Sequence, residues 1–235
     1  MGDVSIIARR LADGHVQYGW SGNGGYFRFL GATLLDFYTE PDMVEYLFGL
    51  GEFSMLLEPY SENSSRIWRT TPTGRPHELG TTERDIFSKI AFIDYGYFYD
   101  TDQKWYYVQP GPFRIKIPLE MVAENVPEEG SGYEFDFLRD VQRAVLRKLL
   151  DDFYSGNDDF RAYALQHGYD SQRVQEILRE SETDDHPVYH FWKKHRALFS
   201  YFDDWAVVRP APDGKSIGEI LLRKQEEPRR ETIDW

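Results

Sequence analysis

The hydrophobic period of this chain changes near residue 125. Before that point, apolar residues alternate in short runs closed by Gly, Pro and Asp; beyond it, they recur every three or four positions. A period of two puts alternate side chains on opposite faces of a strand, and a period near 3.6 lines one face of a helix. The patterns occupy separate halves, which predicts an α+β protein. Residues 1–125 form an antiparallel β-rich N-terminal half, a hairpin plus a three-stranded meander. Residues 133–224 form a helical C-terminal half ending in a β-hairpin. Residues 126–132 read as a linker and 225–235 as a charged tail. The two halves make one domain if the terminal hairpin rejoins the first sheet.

Residues 4–11 and 15–20 flank Asp13-Gly14, a pair that favours a two-residue type I′ turn. That loop pairs Leu11 with Val16, Arg9 with Tyr18 and Ile7 with Trp20 on one face, leaving Ile6, Ala8 and Arg10 on the other. The meander comprises residues 91–99, 104–109 and 113–117, with turns at 100–103 and 110–112. Tyr95, Tyr97 and Tyr99 share one face; Phe92, Asp94 and Phe98 share the other. Between hairpin and meander, a helix is expected from Gly31, another from Pro41, and a strand over 52–57. A long polar loop over 59–82 and one or two helical turns over 82–90 complete this half.

In the C-terminal half, Ser131 and Glu134 have capping-box spacing. Leu138, Val141, Val145, Leu149 and Phe153 then form a helical stripe that ends at Ser155-Gly156. Asn157 caps the following helix, and Asp170 or Ser171 caps the next. A last helix covers 187–201, and the closing strands are 205–209 and 217–223.

Composition excludes several classes. The chain has no cysteine, which rules out disulfides, thiolate metal sites and a cysteine nucleophile. Forty acidic residues against 27 basic ones give a net charge of −13, which repels nucleic acid and anionic membranes at long range. No apolar run reaches the length of a membrane span. The N-terminal residues lack a secretory pattern, and Ile6 breaks the myristoylation pattern. A cytoplasmic protein is expected. The glycine-rich loop at 21–25 lacks the Lys-Ser/Thr of a phosphate cradle and the spacing of a dinucleotide fingerprint, so no cofactor is assigned.

Two patterns carry candidate chemistry. Across 160–180, two short helical patterns meet at Gly168, with Ala164, Val174 and Ile177 spaced to fill a small shared core. This suits a helix-turn-helix, whose second helix would offer Ser171, Gln172, Arg173, Gln175 and Arg179 to a major groove. His167 stands where an apolar residue normally packs, and Glu176 and Glu180 would face phosphates. An ordinary αα-hairpin competes with the DNA reading. The second pattern is His186, His190 and His195. His186 and His190 have the i,i+4 spacing of a divalent-metal pair, but Pro187 pushes His186 out of the helical conformation. His190 and His195 are separated by about 500° around a helix and do not share a face. The arginines Arg66, Arg69 and Arg75, with Trp68 among them, could meet an anion in the long loop.

No nucleophile motif and no acid–base pair with suitable spacing occurs. The expectation is a non-enzymatic protein-interaction or regulatory module whose partner is a protein, with self-association through an aromatic face as a further outcome. The alternatives are a DNA-binding regulator using 160–180, which the net charge disfavours, and a metal- or carboxylate-dependent hydrolase.

Overall fold

The computed structural model describes residues 4–59, 70, 72–80, 82–88, 95–109, 113–126 and 133–225. The predicted capping residue Ser131, the linker beyond Val126, the tail beyond Gln225, Phe92, Asp94, Arg66, Trp68 and Arg69 lie outside them. The protein is α+β. Its strands are β1 (Ser5–Arg10), β2 (Val16–Ser21), β3 (Glu78–Gly80), β4 (Tyr95–Tyr99), β5 (Trp105–Gln109), β6 (Arg114–Pro118), β7 (Phe202–Pro210) and β8 (Ile217–Lys224). They form one sheet in the order β3-β2-β1-β4-β5-β6-β7-β8.

The sheet is mixed, which corrects the expectation of an antiparallel N-terminal half. β1–β4 and β6–β7 pair in parallel; every other neighbouring pair is antiparallel. Parallel neighbours need long connections, and here the chain has them. Between β2 and β4 it passes through α1 (Ala32–Phe37), α2 (Pro41–Gly49), β3 and α3 (Glu83–Ser88). Between β6 and β7 it passes through α4 (Leu119–Asn125), α5 (Tyr133–Arg147), α6 (Phe153–Gly156), α7 (Asp158–Gln166), α8 (Ser171–Ser181), α9 (Pro187–Lys194) and α10 (Arg196–Phe199).

The β1–β2 register also differs from expectation by one residue. Ile6 pairs with Trp20, Ala8 with Tyr18 and Arg10 with Val16. Leu11 N–H donates to the His15 carbonyl and Gly14 N–H to the Leu11 carbonyl, so the loop holds three residues, 12–14. Gly14 alone in this turn has a positive φ, +88°, whereas a type I′ turn needs two such residues. A slip of one exchanges the faces of a strand. Ile6, Ala8 and Arg10 therefore share a face with Val16, Tyr18 and Trp20.

Elsewhere, 52–57 is not a strand; Phe53 makes only isolated bridges to Ser21 and Pro72. The expected loop at 59–82 contains β3. The helix after Tyr26 opens with a π turn, Phe27–Gly31. A second π turn, Lys148–Asp152, interrupts the long C-terminal helix. Its extra residue rotates the stripe enough to bury Leu149 and Leu150 together. The last predicted helix breaks at His195, between α9 and α10.

One face of the sheet carries most of the helices. Ile7, Tyr97, Tyr107, Ile115 and Ile117 pack there against Leu34, Leu47, Val141, Val145, Phe160 and Phe199, all buried. The polar ends of this face's aromatics find carbonyls: Tyr97 Oη donates to Gly25 O at 2.9 Å and Trp105 Nε1 to Tyr38 O at 2.6 Å. The opposite face has a smaller core of Ile6, Ala8, Val16, Phe98 and Val108, covered by Ile86 and Phe87 of α3. α3 sits close because two glycines leave room. A Cβ on Gly96 would lie 2.7 Å from the Phe87 ring, and one on Gly80 would lie 2.8 Å from Ile86. Among the described residues, no helix is long and apolar enough to cross a membrane.

Candidate functional site

α3 covers only part of the second face. Beside it, towards β7 and β8, lies a cleft of about 520 Å³ lined by Arg10, Thr82, Glu83, Asp100, Thr101, Lys116, Asp203, Trp205, Val207 and Arg223. The volume falls within the range of small-molecule sites. Strand alternation explains the floor. Arg10 is the last residue of β1, on the same face as Ala8, and Lys116 of β6 pairs with Val108 on the face that holds Phe98. Asp100 follows β4 and opens the turn to β5: its N–H donates to the Lys104 carbonyl, and Gln103 N–H donates to the Asp100 carbonyl. Its Oδ1 accepts from the Thr101 N–H at 2.8 Å, the local bond that favours aspartate at a turn start.

Four charges close a ring on this floor. Arg10 Nε donates to Asp100 Oδ1 at 2.9 Å, and Arg10 also pairs with Glu83. Lys116 pairs with Asp100, and its Nζ lies 3.6 Å from Glu83 Oε1. Each anion thus meets both cations. Aromatic faces complete the surroundings: Lys116 Nζ is 4.6 Å from the Phe98 ring centre and 4.5 Å from that of Tyr106, and the Arg10 guanidinium is 5.3 Å from Phe98. Burial alone would raise the Asp100 pKa. The adjacent Lys116 ammonium, the Thr101 N–H and Arg10 outweigh burial and hold the carboxyl at about 2. Burial pulls the Lys116 ammonium down from its ordinary value, and Asp100 opposes that shift.

The rim is built by an irregularity. Phe202 pairs with Lys224 and Ala206 with Leu222, so residues 203–205 bulge opposite Arg223. Such a bulge re-aims side chains, and here Asp203, Trp205 and Arg223 all line the cleft. Trp205 is fixed by an edge contact with Phe87 and by the Arg114 guanidinium, 5.8 Å from its ring centre. Among the described residues, neither Asp203 nor Arg223 has an oppositely charged partner within ion-pair distance.

None of the cleft residues was nominated by sequence patterns. Ser171, Gln172, Gln175 and Arg179 are exposed on α8, as expected for a presented helix. Asn157 caps α7 and Asp170 caps α8, and Gly168 between the two helices has φ +82°. α8 packs chiefly on α5 and the π turn before α6. Three of the five candidates are engaged with acids: Arg173 pairs with Glu176 at 3.0 Å and approaches Glu180 at 3.8 Å, Gln172 donates to Glu176, and Gln175 donates to Asp151.

The three histidines do not converge. His186 is the residue before α9, outside the helix, with its ring centre 6.1 Å from that of His190. His190 Nδ1 is 2.7 Å from Asp184, while His195 Nδ1 is 2.5 Å from Tyr169 Oη. Burial, then the charges of Lys194 and Arg173, push the His195 imidazole down to about 4. A minor cavity of about 120 Å³ lies beside His190 and His195. Among the described residues, no group of three or more His, Asp or Glu could hold a metal ion. Arg75 is exposed in the segment before β3.

One signal could have pointed to the cleft. Lys116 sits in Arg-Ile-Lys-Ile-Pro, a strand whose five residues are all buried. A lysine enclosed in such a strand needs counter-charges and marks where they gather.

No family model, curated protein or solved structure matches this chain.

Proposed function

We propose that this protein is a non-enzymatic interaction or regulatory module that recognises its ligand through the charged cleft. The observation that carries this reading is the closed ring of Arg10, Glu83, Lys116 and Asp100. A proton-transfer centre works best with a group whose pKa lies near the working pH. Asp100, at about 2, stays an anion at neutral pH, held against Lys116 and Arg10. Fixed, mutually supported charges favour recognition, because less ordering remains to be done when a ligand arrives.

The DNA reading draws less support, since Arg173 of α8 is engaged with Glu176 and Glu180 and the chain carries a net charge of −13. The metal-dependent hydrolase reading finds no ligand set among the described residues.

The test is incubation of the purified protein with a fractionated cell extract, then ultrafiltration and mass spectrometry of both fractions. The reading expects compounds retained in proportion to protein, recovered unchanged in mass, and released when Trp205 is replaced by alanine. Consumption of any component in large excess over the protein would refute it, as would retention that ignores Trp205.

A further inference from the structure

Among the described residues, the charges lining the cleft balance: Arg10, Lys116 and Arg223 against Glu83, Asp100 and Asp203. An anion entering it meets three carboxylates, and a cation meets three basic groups. Two of each sign are already consumed in the floor ring. The remaining pair, Arg223 and Asp203, stands across the bulge between β7 and β8 with no ion pair to each other or to another described residue. Both line the same cleft as Trp205 and Val207. An unspent cation and an unspent anion flanking an apolar wall are complementary to a dipole of opposite sense.

We propose that the cleft binds a zwitterionic small molecule of the free amino acid or dipeptide class, its carboxylate on Arg223, its ammonium on Asp203 and its carbon skeleton against Trp205 and Val207. The inference rests on the cleft being a recognition site, and it adds the ligand's chemistry. Arg223 supplies the forked donor that matches a carboxylate. The indole face suits an apolar or aromatic side chain, or a cationic one. The volume of about 520 Å³ accommodates a large amino acid or a dipeptide.

The experiment is an NMR titration of the full chain, reading the assigned Trp205 indole N–H. The probes are the free L-amino acids and a set of unblocked dipeptides at millimolar concentration. The best binder is then compared with its N-acetylated and C-amidated forms. The expected result is saturable movement of the indole resonance by a zwitterion. Either blocking group, and either of Arg223→Gln and Asp203→Asn, should weaken binding by about tenfold or more, the scale of a lost charge-assisted hydrogen bond. The blocked-ligand arm uses the unaltered protein, so it reports even if a variant folds poorly. No response to any probe overturns the proposal, as does equal binding of blocked and unblocked forms. A zwitterion that binds and is then consumed refutes the non-enzymatic reading while this inference stands. Retention from extract of non-zwitterionic compounds alone refutes this inference while that reading stands.

Discussion

The Lys116 ammonium lies against the Asp100 carboxylate above two aromatic rings, 4.6 Å from the centre of Phe98 and 4.5 Å from that of Tyr106. The lysine side chain is only 7% exposed, in the interior of a sheet. Desolvating an ammonium there is costly and is offset only by partners held in place. Asp100 is held by its turn, Glu83 by α3 and Arg10 by the end of β1. The ring therefore ties three separate parts of the chain to β6.

Removing one member should expose that dependence. Lys116→Met leaves Asp100 with Arg10 alone, so the expected loss is about 2–3 kcal/mol, below the full cost of stranding a buried charge. Asp100→Asn should cost a similar amount. The double variant should lose at least about 1 kcal/mol less than the sum of the two, because the partners act as one unit. Urea denaturation of the four proteins measures this; strict additivity would show that the pair is not coupled.

Acid should erode the same interaction. The Asp100 carboxyl has an ordinary value of 3.8 and a folded value of about 2. The unfolded chain therefore binds the proton more readily than the folded one. The contribution is complete above about pH 4 and fades as the pH falls towards 2. It amounts to roughly 2 kcal/mol. Stability measured between pH 5 and pH 2, ranges set by that linkage, should fall more steeply for the parent than for Asp100→Asn. Parallel curves would contradict the assignment.

His195 should titrate late. Burial and the nearby Lys194 and Arg173 charges place it at about 4, and Tyr169 Oη can donate to its Nδ1. In a ¹H NMR titration its ring C–H should move around that pH. Lys194→Met should raise the midpoint, since removing a positive neighbour favours the imidazolium. A midpoint near the ordinary 6.5 would show the ring to be solvated.

Gly96→Ala tests the packing of α3 beside the cleft. The new Cβ would sit 2.7 Å from the Phe87 ring and 3.0 Å from the Val108 carbonyl oxygen. The ring can yield only by lifting α3, so the expected cost is about 1–3 kcal/mol. Phe87 also meets the edge of Trp205, so the Trp205 indole resonance should move as well. Gly49→Ala is the control, because nothing lies within 4 Å of its added Cβ.

Much of the local structure was legible in the chain itself. The stripe from Leu138 to Phe153 marked the long helix, Asn157 and Asp170 marked caps, and Asp13-Gly14 marked a turn. These signals depend on neighbours within a few residues, where backbone geometry leaves few options. The β1 register escaped for the same reason. Ile6, Ile7 and Ala8 are all fully buried, so alternation could not say which face each took, and one positive φ in the turn shifted every pair. The Lys148–Asp152 π turn escaped because one inserted residue is hidden within an apolar stripe.

The cleft belongs to the tertiary structure. Arg10, Glu83, Asp100, Lys116, Asp203 and Arg223 come from six separate places in the chain. Two parallel pairings, β1 with β4 and β6 with β7, bring them to one face, and the β7 bulge sets the rim. Composition and periodicity chose strand or helix and what to bury, because those preferences act over a few residues. Which charges meet depended on strand order and direction, and these are decided by how long crossovers return to a shared sheet.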